Sequence, residues 1–229
     1  MKIKAITLDL DDTLWPVWPV IRHAEETLHQ WLEEKAPQAA KSTSIEKIRG
    51  IRNQVEKEYP EWQHDLGLYR LEAIRRILAQ SGENEKLAPD AFAVYLNARQ
   101  QVTLYDDALP ALKRLYEAFP IVAITNGNAD LQQIGINHYF KNIVTAKQIG
   151  APKPDPRLFQ QAQALLNLPA AEILHVGDDL NSDVLGALNV GMQAAWVQRT
   201  PEHKVTPAQA QQPQYIVQDL LVLCEQLGL

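Results

Sequence analysis

The sequence predicts an α/β fold: a mostly parallel sheet covered by helices, interrupted near its start by an all-helical insertion. Three observations lead there. Short apolar runs alternate with helix-period stretches through residues 105–229. A similar run, residues 3–10, stands alone near the beginning. Between them, residues 20–104 place their apolar side chains at helical spacing. Strand–helix alternation favours parallel strands buried on both faces.

The elements follow in order. Residues 3–10 form the first strand, ending in acid. In the insertion, Ile21, Ala24, Leu28 and Trp31 make one helical stripe. Ile45, Ile48, Ile51 and Val55 make a second, opened by Thr43 and Glu46 in the spacing of a capping box. Leu71, Ile74 and Leu78 make a third; Leu87, Phe92, Val94, Tyr95 and Ala98 make a less regular fourth. Breaks are expected at Pro37, at Pro60 with Gly67, and at Ser81-Gly82. Beyond 105, strands are predicted at 120–125, 142–145, 172–177, 194–198 and 215–218. Helices are predicted at 107–118, 156–167, 182–190 and 218–227. Asp155-Pro156 supplies an N-cap and a proline at the first helical position. The domain reading is an α/β domain of residues 1–15 and 105–229 and a helical domain of residues 16–104 inserted after the first strand. In open α/β sheets ligands bind beyond the carboxyl ends of the strands, so an insertion there is placed to act as a lid.

Composition narrows the function. The 229 residues are 46% hydrophobic and 22% charged, with a net charge of −6. Such a chain has no general attraction for nucleic acid or an anionic membrane. An anionic substrate would need a local cation or lysine. One cysteine, Cys224, excludes an internal disulfide and fits a reducing compartment. The N-terminal apolar stretch is short and meets acid at once, which argues against a signal peptide. No run reaches the ~20 apolar residues of a membrane span. A cytoplasmic protein is the expectation.

The chemistry gathers at the predicted strand ends. Asp9, Asp11 and Asp12, with Thr13, follow the first strand; Thr125, Asn126 and Gly127 follow the second. Lys153 lies in "APKPDP" after the third; Asp178, Asp179 and Asp183 follow the fourth. Singly, each has an ordinary structural explanation. Paired aspartates form turns or helix caps, T-N-G-N has turn composition, Asp183 complements a helix dipole, and a lone lysine is normally solvated. Together, four strand ends carry groups suited to one reaction. Clustered carboxylates are unfavourable unless a cation neutralises them. An oxygen-only donor set favours a hard ion, Mg²⁺ first. With Lys153, the Thr125 hydroxyl and backbone N–H groups near Asn126, such a site would hold a tetrahedral dianion. One aspartate remains as nucleophile and another as acid and base, which suits phosphoryl transfer.

Asp9-x-Asp11-x-Thr13 resembles the first motif of the haloacid dehalogenase superfamily. Thr125-Asn126 resembles the second, Lys153 the third, and Gly177-Asp178 with Asp183 the fourth. The resemblance spans the whole non-inserted chain. It implies a haloacid dehalogenase-like, Rossmannoid three-layer α/β core with a mostly parallel sheet, plus an inserted α-helical bundle as a C1-type cap. It implies that Asp9 attacks phosphorus and becomes an aspartyl phosphate, and that Asp11 protonates the leaving alcohol and then deprotonates water. Thr125, Asn126 and Lys153 would bind the phosphoryl group. Asp9, the Asp11 carbonyl and Asp178 would ligate Mg²⁺, with Asp183 behind them on the metal waters or Lys153. Family dehalogenases lack the second aspartate, so Asp11 favours phosphate ester hydrolysis.

"TLDLDDTLW", "AITNGNA", "HDLGLYR" and "EILHVGDDLNSDVLGALNVGMQAAWV" further resemble bacterial phosphatases of this superfamily that act on flavin mononucleotide and on the phosphoribitylamino-uracil intermediate of riboflavin synthesis. "DDTLWP" is also similar to a magnesium-dependent phosphatase branch, but that branch lacks a large cap. The partner implied is a small-molecule phosphate ester, neither nucleic acid nor membrane. A phosphomutase of the same fold, or a catalytically silent binding protein, is the alternative. In the insertion, Trp15, Trp18, His64, Asp65 and Arg70 are candidate substrate contacts; an indole at 15 or 18 would either stack on a flat ring or pack between the two domains. His175, within an apolar strand, is expected to be a satisfied core residue.

Overall fold

The computed structural model describes residues 2–199 and 212–229. In chain order its elements are β1 (Ala5–Leu8), α1 (Val17–Lys35), α2 (Pro37–Ser42), α3 (Ile45–Glu58), α4 (Leu66–Gln80), α5 (Ala88–Ala98) and α6 (Ala108–Ala118). Then come β2 (Ile121–Thr125), α7 (Leu131–Ile134), β3 (Asn142–Thr145), α8 (Ala146–Ile149), α9 (Pro156–Leu166) and β4 (Ile173–Gly177). A π-helical segment, Leu180–Leu185, runs into α10 (Gly186–Asn189), followed by β5 (Gln193–Val197), β6 (Tyr215–Val217) and α11 (Leu220–Leu227). No described helix is long and apolar enough to cross a membrane.

The described chain forms two compact units. One comprises Met1–Pro16, Thr103–Gly127 and Gly135–Leu229; the other comprises Val17–Val102 and Asn128–Ile134. The first is built on a six-stranded sheet of order β3-β2-β1-β4-β5-β6, every pairing parallel. Strands β1, β2 and β4 are buried at every residue, which is why each reads as an apolar run. Leu158, Phe159 and Ala162 of α9 bury against Val122, Ile124 and Val144 of β2 and β3. Asp155 caps α9, its side chain accepting from Arg157 N, as its sequence predicts. The chain runs β1→β2→β3 in one direction and resumes on the other side of β1 with β4. That reversal between β1 and β4 is the switch point at which open α/β sheets form crevices.

The second unit is helical. Ala24, Leu28 and Leu32 of α1 join Ile48, Ile51 and Val55 of α3, Ile74, Ile77 and Leu78 of α4, and Tyr95 of α5 in one core. Ile21 and Trp31, expected in the first stripe, lie at its margin. The N-cap of α3 is Ser44, whose hydroxyl accepts from Lys47 N. Thr43 does not serve, because it already ends α2 with its N–H turned to Ala40 O. Gly67 lies inside the first turn of α4 rather than breaking the chain. Within this core Glu25 is buried with Arg70, which donates to Glu25 and to the Tyr95 hydroxyl; Arg49 donates to the same carboxylate. Asn128–Ile134 group with this unit, where the buried Gln100 carboxamide donates to Asn128 O and accepts from Asp130 N.

Candidate active site

Asp9 follows β1 directly, Thr125 is the last residue of β2, and Asp178 follows β4. Neighbouring parallel strands therefore deliver all three to one end of the sheet. Strand alternation sets the rest. Thr7 and Asp9 share a face of β1, and His175 and Gly177 share a face of β4. Thr7 and His175 are register partners, so Thr7 Oγ1 and His175 Nδ1 meet at 2.9 Å. Gly177 leaves room for Asp183: a Cβ there would lie 2.4 Å from the Asp183 carboxyl carbon.

Lys153 is the hub. Its buried Nζ donates to Asp9 Oδ1 and to Asp183 Oδ1, each at 2.5 Å, and to Ile124 O at 3.1 Å. Its backbone is clamped by Asn126, whose side chain accepts from Lys153 N at 2.6 Å and donates to Lys153 O at 3.2 Å. Asp183 also accepts from His175 Nε2 at 3.1 Å and, on Oδ2, from Asp179 N at 3.1 Å. The Thr13 hydroxyl lies 3.1 Å from both Asp9 Oδ2 and Asp178 Oδ1. Asp178 is further held by its carbonyl, which accepts from the Trp196 indole at 2.8 Å. Thr125 Oγ1 accepts from Gly127 N at 2.9 Å, shaping the loop after β2. Asp11 Oδ1 accepts from the Trp15 indole N–H at 2.8 Å.

Burial sets the charges. It raises Asp9 well above the carboxylate range; Lys153 opposes this, and Asp183 and Asp178 add to it. Burial, reinforced by Asp183 and Asp12, pushes Asp178 up to about 7 against the Thr13 hydrogen bond and Lys153. Asp183 is held far below its ordinary value, because Lys153 and His175 outweigh its burial. Lys153 is raised although burial disfavours an ammonium, because Asp183 and Asp9 outweigh it. Burial lowers His175, keeping it neutral. With Asp183 ionised, Nε2 of that neutral ring must carry the proton, and Thr7 donates to Nδ1.

One oxygen from each of Asp9, Asp178 and Asp183 lies within 4.8 Å of the others. These donors are all hard oxygens, and two of the three carboxyls are hard to ionise as they stand. A divalent hard cation fits such a set.

A family profile described as haloacid dehalogenase-like hydrolase matches residues 3–191. The chain belongs to the haloacid dehalogenase-like hydrolases. It is 36% identical over 200 residues to the 5-amino-6-(5-phospho-D-ribitylamino)uracil phosphatase YigB of Escherichia coli (strain K12), covering 86% of this chain and 84% of that protein. It is 30% identical over 212 residues to a glyceraldehyde 3-phosphate phosphatase of Methanopyrus kandleri, covering 90% and 88%. Among solved structures, one titled as a 2-haloacid dehalogenase from Pseudomonas syringae pv. Tomato DC3000 superposes with TM-score 0.89 at 34% identity, covering 99% of this chain and 98% of that one.

The α/β fold expected for this hydrolase family is the fold observed. Asp9, Lys153, Asp178 and Asp183 form one bonded cluster with Thr13. Asn126 uses its side chain on the Lys153 backbone. Trp15 is fully buried and bonded to Asp11, which favours packing over ring stacking for its indole. Arg70 is spent on Glu25 and Tyr95 inside the helical core, not on a ligand. Asp65 caps α4, His64 Nδ1 lies 2.9 Å from Glu61 O, and Trp18 is exposed. Asp179, left unassigned from sequence, is an N-cap accepting from Asn181 N and Ser182 N. Sequence reasoning left His175 with no role beyond the core and did not see the Thr13 bridge. The polar His175 in an otherwise apolar strand, two residues before Gly177, was the available signal.

Proposed function

We propose that this hydrolase is a Mg²⁺-dependent phosphatase acting on a small-metabolite phosphate monoester through an aspartyl phosphate on Asp9. The observation that carries the reading is the buried Lys153 ammonium shared between Asp9 and Asp183, with Asp11 two residues beyond the nucleophile. Lys153 and Thr13 each hold one oxygen of Asp9, which fixes the plane of the attacking carboxylate. An Asp9 oxygen attacks phosphorus as the ester P–O bond breaks, and Asp11 gives its proton to the departing oxygen. Asp11 then takes a proton from water, which attacks phosphorus and returns Asp9 as a carboxylate. Lys153, Thr125 and the main chain at Asn126 would receive the phosphoryl oxygens. Asp9, the Asp11 carbonyl and Asp178 would hold Mg²⁺, which supplies charge neutralisation for the dianion. Asp183, whose oxygens already accept three hydrogen bonds, positions Lys153.

The helical insertion leaves the chain directly after the Asp9–Thr13 segment, and we assign substrate choice to it as a cap. The similarity to YigB favours 5-amino-6-(5-phospho-D-ribitylamino)uracil as substrate, and the motif resemblance adds flavin mononucleotide as a candidate. The similarity to a structure titled as a dehalogenase supports a second reading, displacement of halide at carbon. Asp11 argues against it, because carbon–halogen cleavage needs no proton for the leaving group.

The experiment is a release screen with and without EDTA over flavin mononucleotide, nucleotides and sugar phosphates, with 2-haloacids in parallel. Phosphate release that stops in EDTA and returns with Mg²⁺, and that is lost in Asp9→Asn, is expected. Halide release without phosphate release would overturn the proposal.

A further inference from the structure

We propose that Trp15 is a positioning residue for the acid step: its indole N–H holds the Asp11 carboxyl in the orientation from which it protonates the leaving group. This rests on the role given to Asp11 above. Asp12 adopts φ 60, a left-handed conformation that aspartate tolerates better than most residues. Its N–H donates to Trp15 O at 2.8 Å, and Leu14 N donates to Leu10 O at 2.8 Å. This tight turn brings the chain round through a full loop, so Trp15 pairs with Asp11 in an isolated parallel bridge. The indole then lies fully buried, and its N–H reaches Asp11 Oδ1 at 2.8 Å. A buried indole N–H needs an acceptor. Here it takes one oxygen of the only side chain assigned to proton transfer. The bond restrains the carboxyl torsion without adding charge.

In the step concerned, the Asp9–phosphorus bond forms, the ester P–O bond breaks, and the Asp11 proton passes to the departing oxygen. An alkyl leaving group needs that proton; 4-nitrophenolate leaves without it. The value of kcat/KM covers binding and this step but not the dephosphorylation of Asp9, which comes after the leaving group has gone. A loss confined to alkyl esters therefore marks the acid step, whereas a packing defect lowers both.

The test compares kcat/KM for the fastest alkyl phosphate of the screen with that for 4-nitrophenyl phosphate. Trp15→Phe is expected to lower the alkyl value about 10- to 100-fold, within the range for general acid catalysis, and the aryl value far less. Because Trp15→Phe also changes ring shape, a second variant replaces the indole with its benzothiophene isostere, which keeps the bulk and removes only the donor. It should show the same split, and neither change should add to the loss in Asp11→Asn. Equal losses on both esters, or none with the isostere, would overturn the inference. Full alkyl activity in Asp11→Asn would instead overturn the acid assignment beneath it, so the two failures are distinguishable.

Discussion

Asp178→Asn is expected to stabilise the metal-free protein while abolishing turnover. The Asp178 carboxyl is pushed from 3.8 up to about 7, first by burial and then by Asp183 and Asp12. That span corresponds to about 4 kcal/mol of disfavoured ionisation above neutral pH. Asp178 is only partly buried, so solvent and local relaxation reduce the usable part to about 2 kcal/mol. An amide keeps the shape, and its carbonyl oxygen can still accept from Thr13. The assay is urea denaturation in EDTA across pH 4 to 8, repeated with Mg²⁺. A raised carboxyl binds its proton more tightly folded than unfolded. The Asp178 contribution to stability in EDTA should therefore fall as pH rises from about 4 to about 7 and then level off. Asp9, also raised, acts in the same direction; His175, lowered by burial, acts in the opposite direction below 6.5, so the Asp178 share is read as the difference between wild type and variant. Asp183, held low, acts below 3.8, where stability is lost as pH falls. Asp178→Asn should flatten the upper window, exceed wild type at pH 8 in EDTA, and gain far less from Mg²⁺. If it is less stable than wild type at pH 8 in EDTA, the electrostatic argument for a cation at this site is wrong.

Gly177→Ala should place its new Cβ against the Asp183 carboxyl, 2.4 Å from its carbon. Displacing Asp183 from Lys153 is expected to lower kcat about 100-fold and stability by about 1–3 kcal/mol, read by steady-state kinetics and denaturation of the same preparation. His175→Phe removes the donor to Asp183 and strands Thr7; a loss of about 1–3 kcal/mol is expected. His175→Gln, which can restore the donor, should recover part of the lost stability in urea denaturation. Glu25→Ala leaves Arg70 buried without its carboxylate. Urea denaturation should show about 3–5 kcal/mol of destabilisation, with KM and kcat little changed under conditions where the variant is folded.

Much of the fold was legible because buried parallel strands write themselves as apolar runs. "IVAIT" and "NIVT" coincide with β2 and β3. The site was legible because its reactive groups sit at strand ends, and parallel topology brings strand ends together. What stayed hidden depends on register and on unusual backbone. Thr7 and His175 are 168 residues apart and meet only because β1 pairs with β4 in one particular register. Trp15 finds Asp11 because Asp12 takes a positive φ, which residue type alone does not announce. The side chain of Asn126 is equally able to face a ligand or the neighbouring loop; the approach of Lys153 decides for the loop. The choice of Ser44 over Thr43 as a cap turned on where the preceding short helix ended, and α2 has no apolar stripe long enough to be read.

The charges of the site argue for its ligand more strongly than any single contact. Three clustered carboxylates, Asp9, Asp178 and Asp183, face one buried ammonium, Lys153. Fully ionised, they leave two negative charges in excess, the charge of one divalent cation. His175 could have cancelled part of that excess, but burial keeps it neutral, and Phe159 packs edge-on against its ring at 5.1 Å. It therefore donates to Asp183 without changing the balance. Lys153 is in turn divided between two carboxylates, so it fixes Asp9 without neutralising the cluster. A second lysine in place of His175 would relieve the repulsion and remove the reason for a metal. On this argument His175→Lys, if it folds, should stabilise the metal-free protein at neutral pH and weaken its response to Mg²⁺. An unchanged Mg²⁺ response in that variant would show that the excess charge is not what selects the ion.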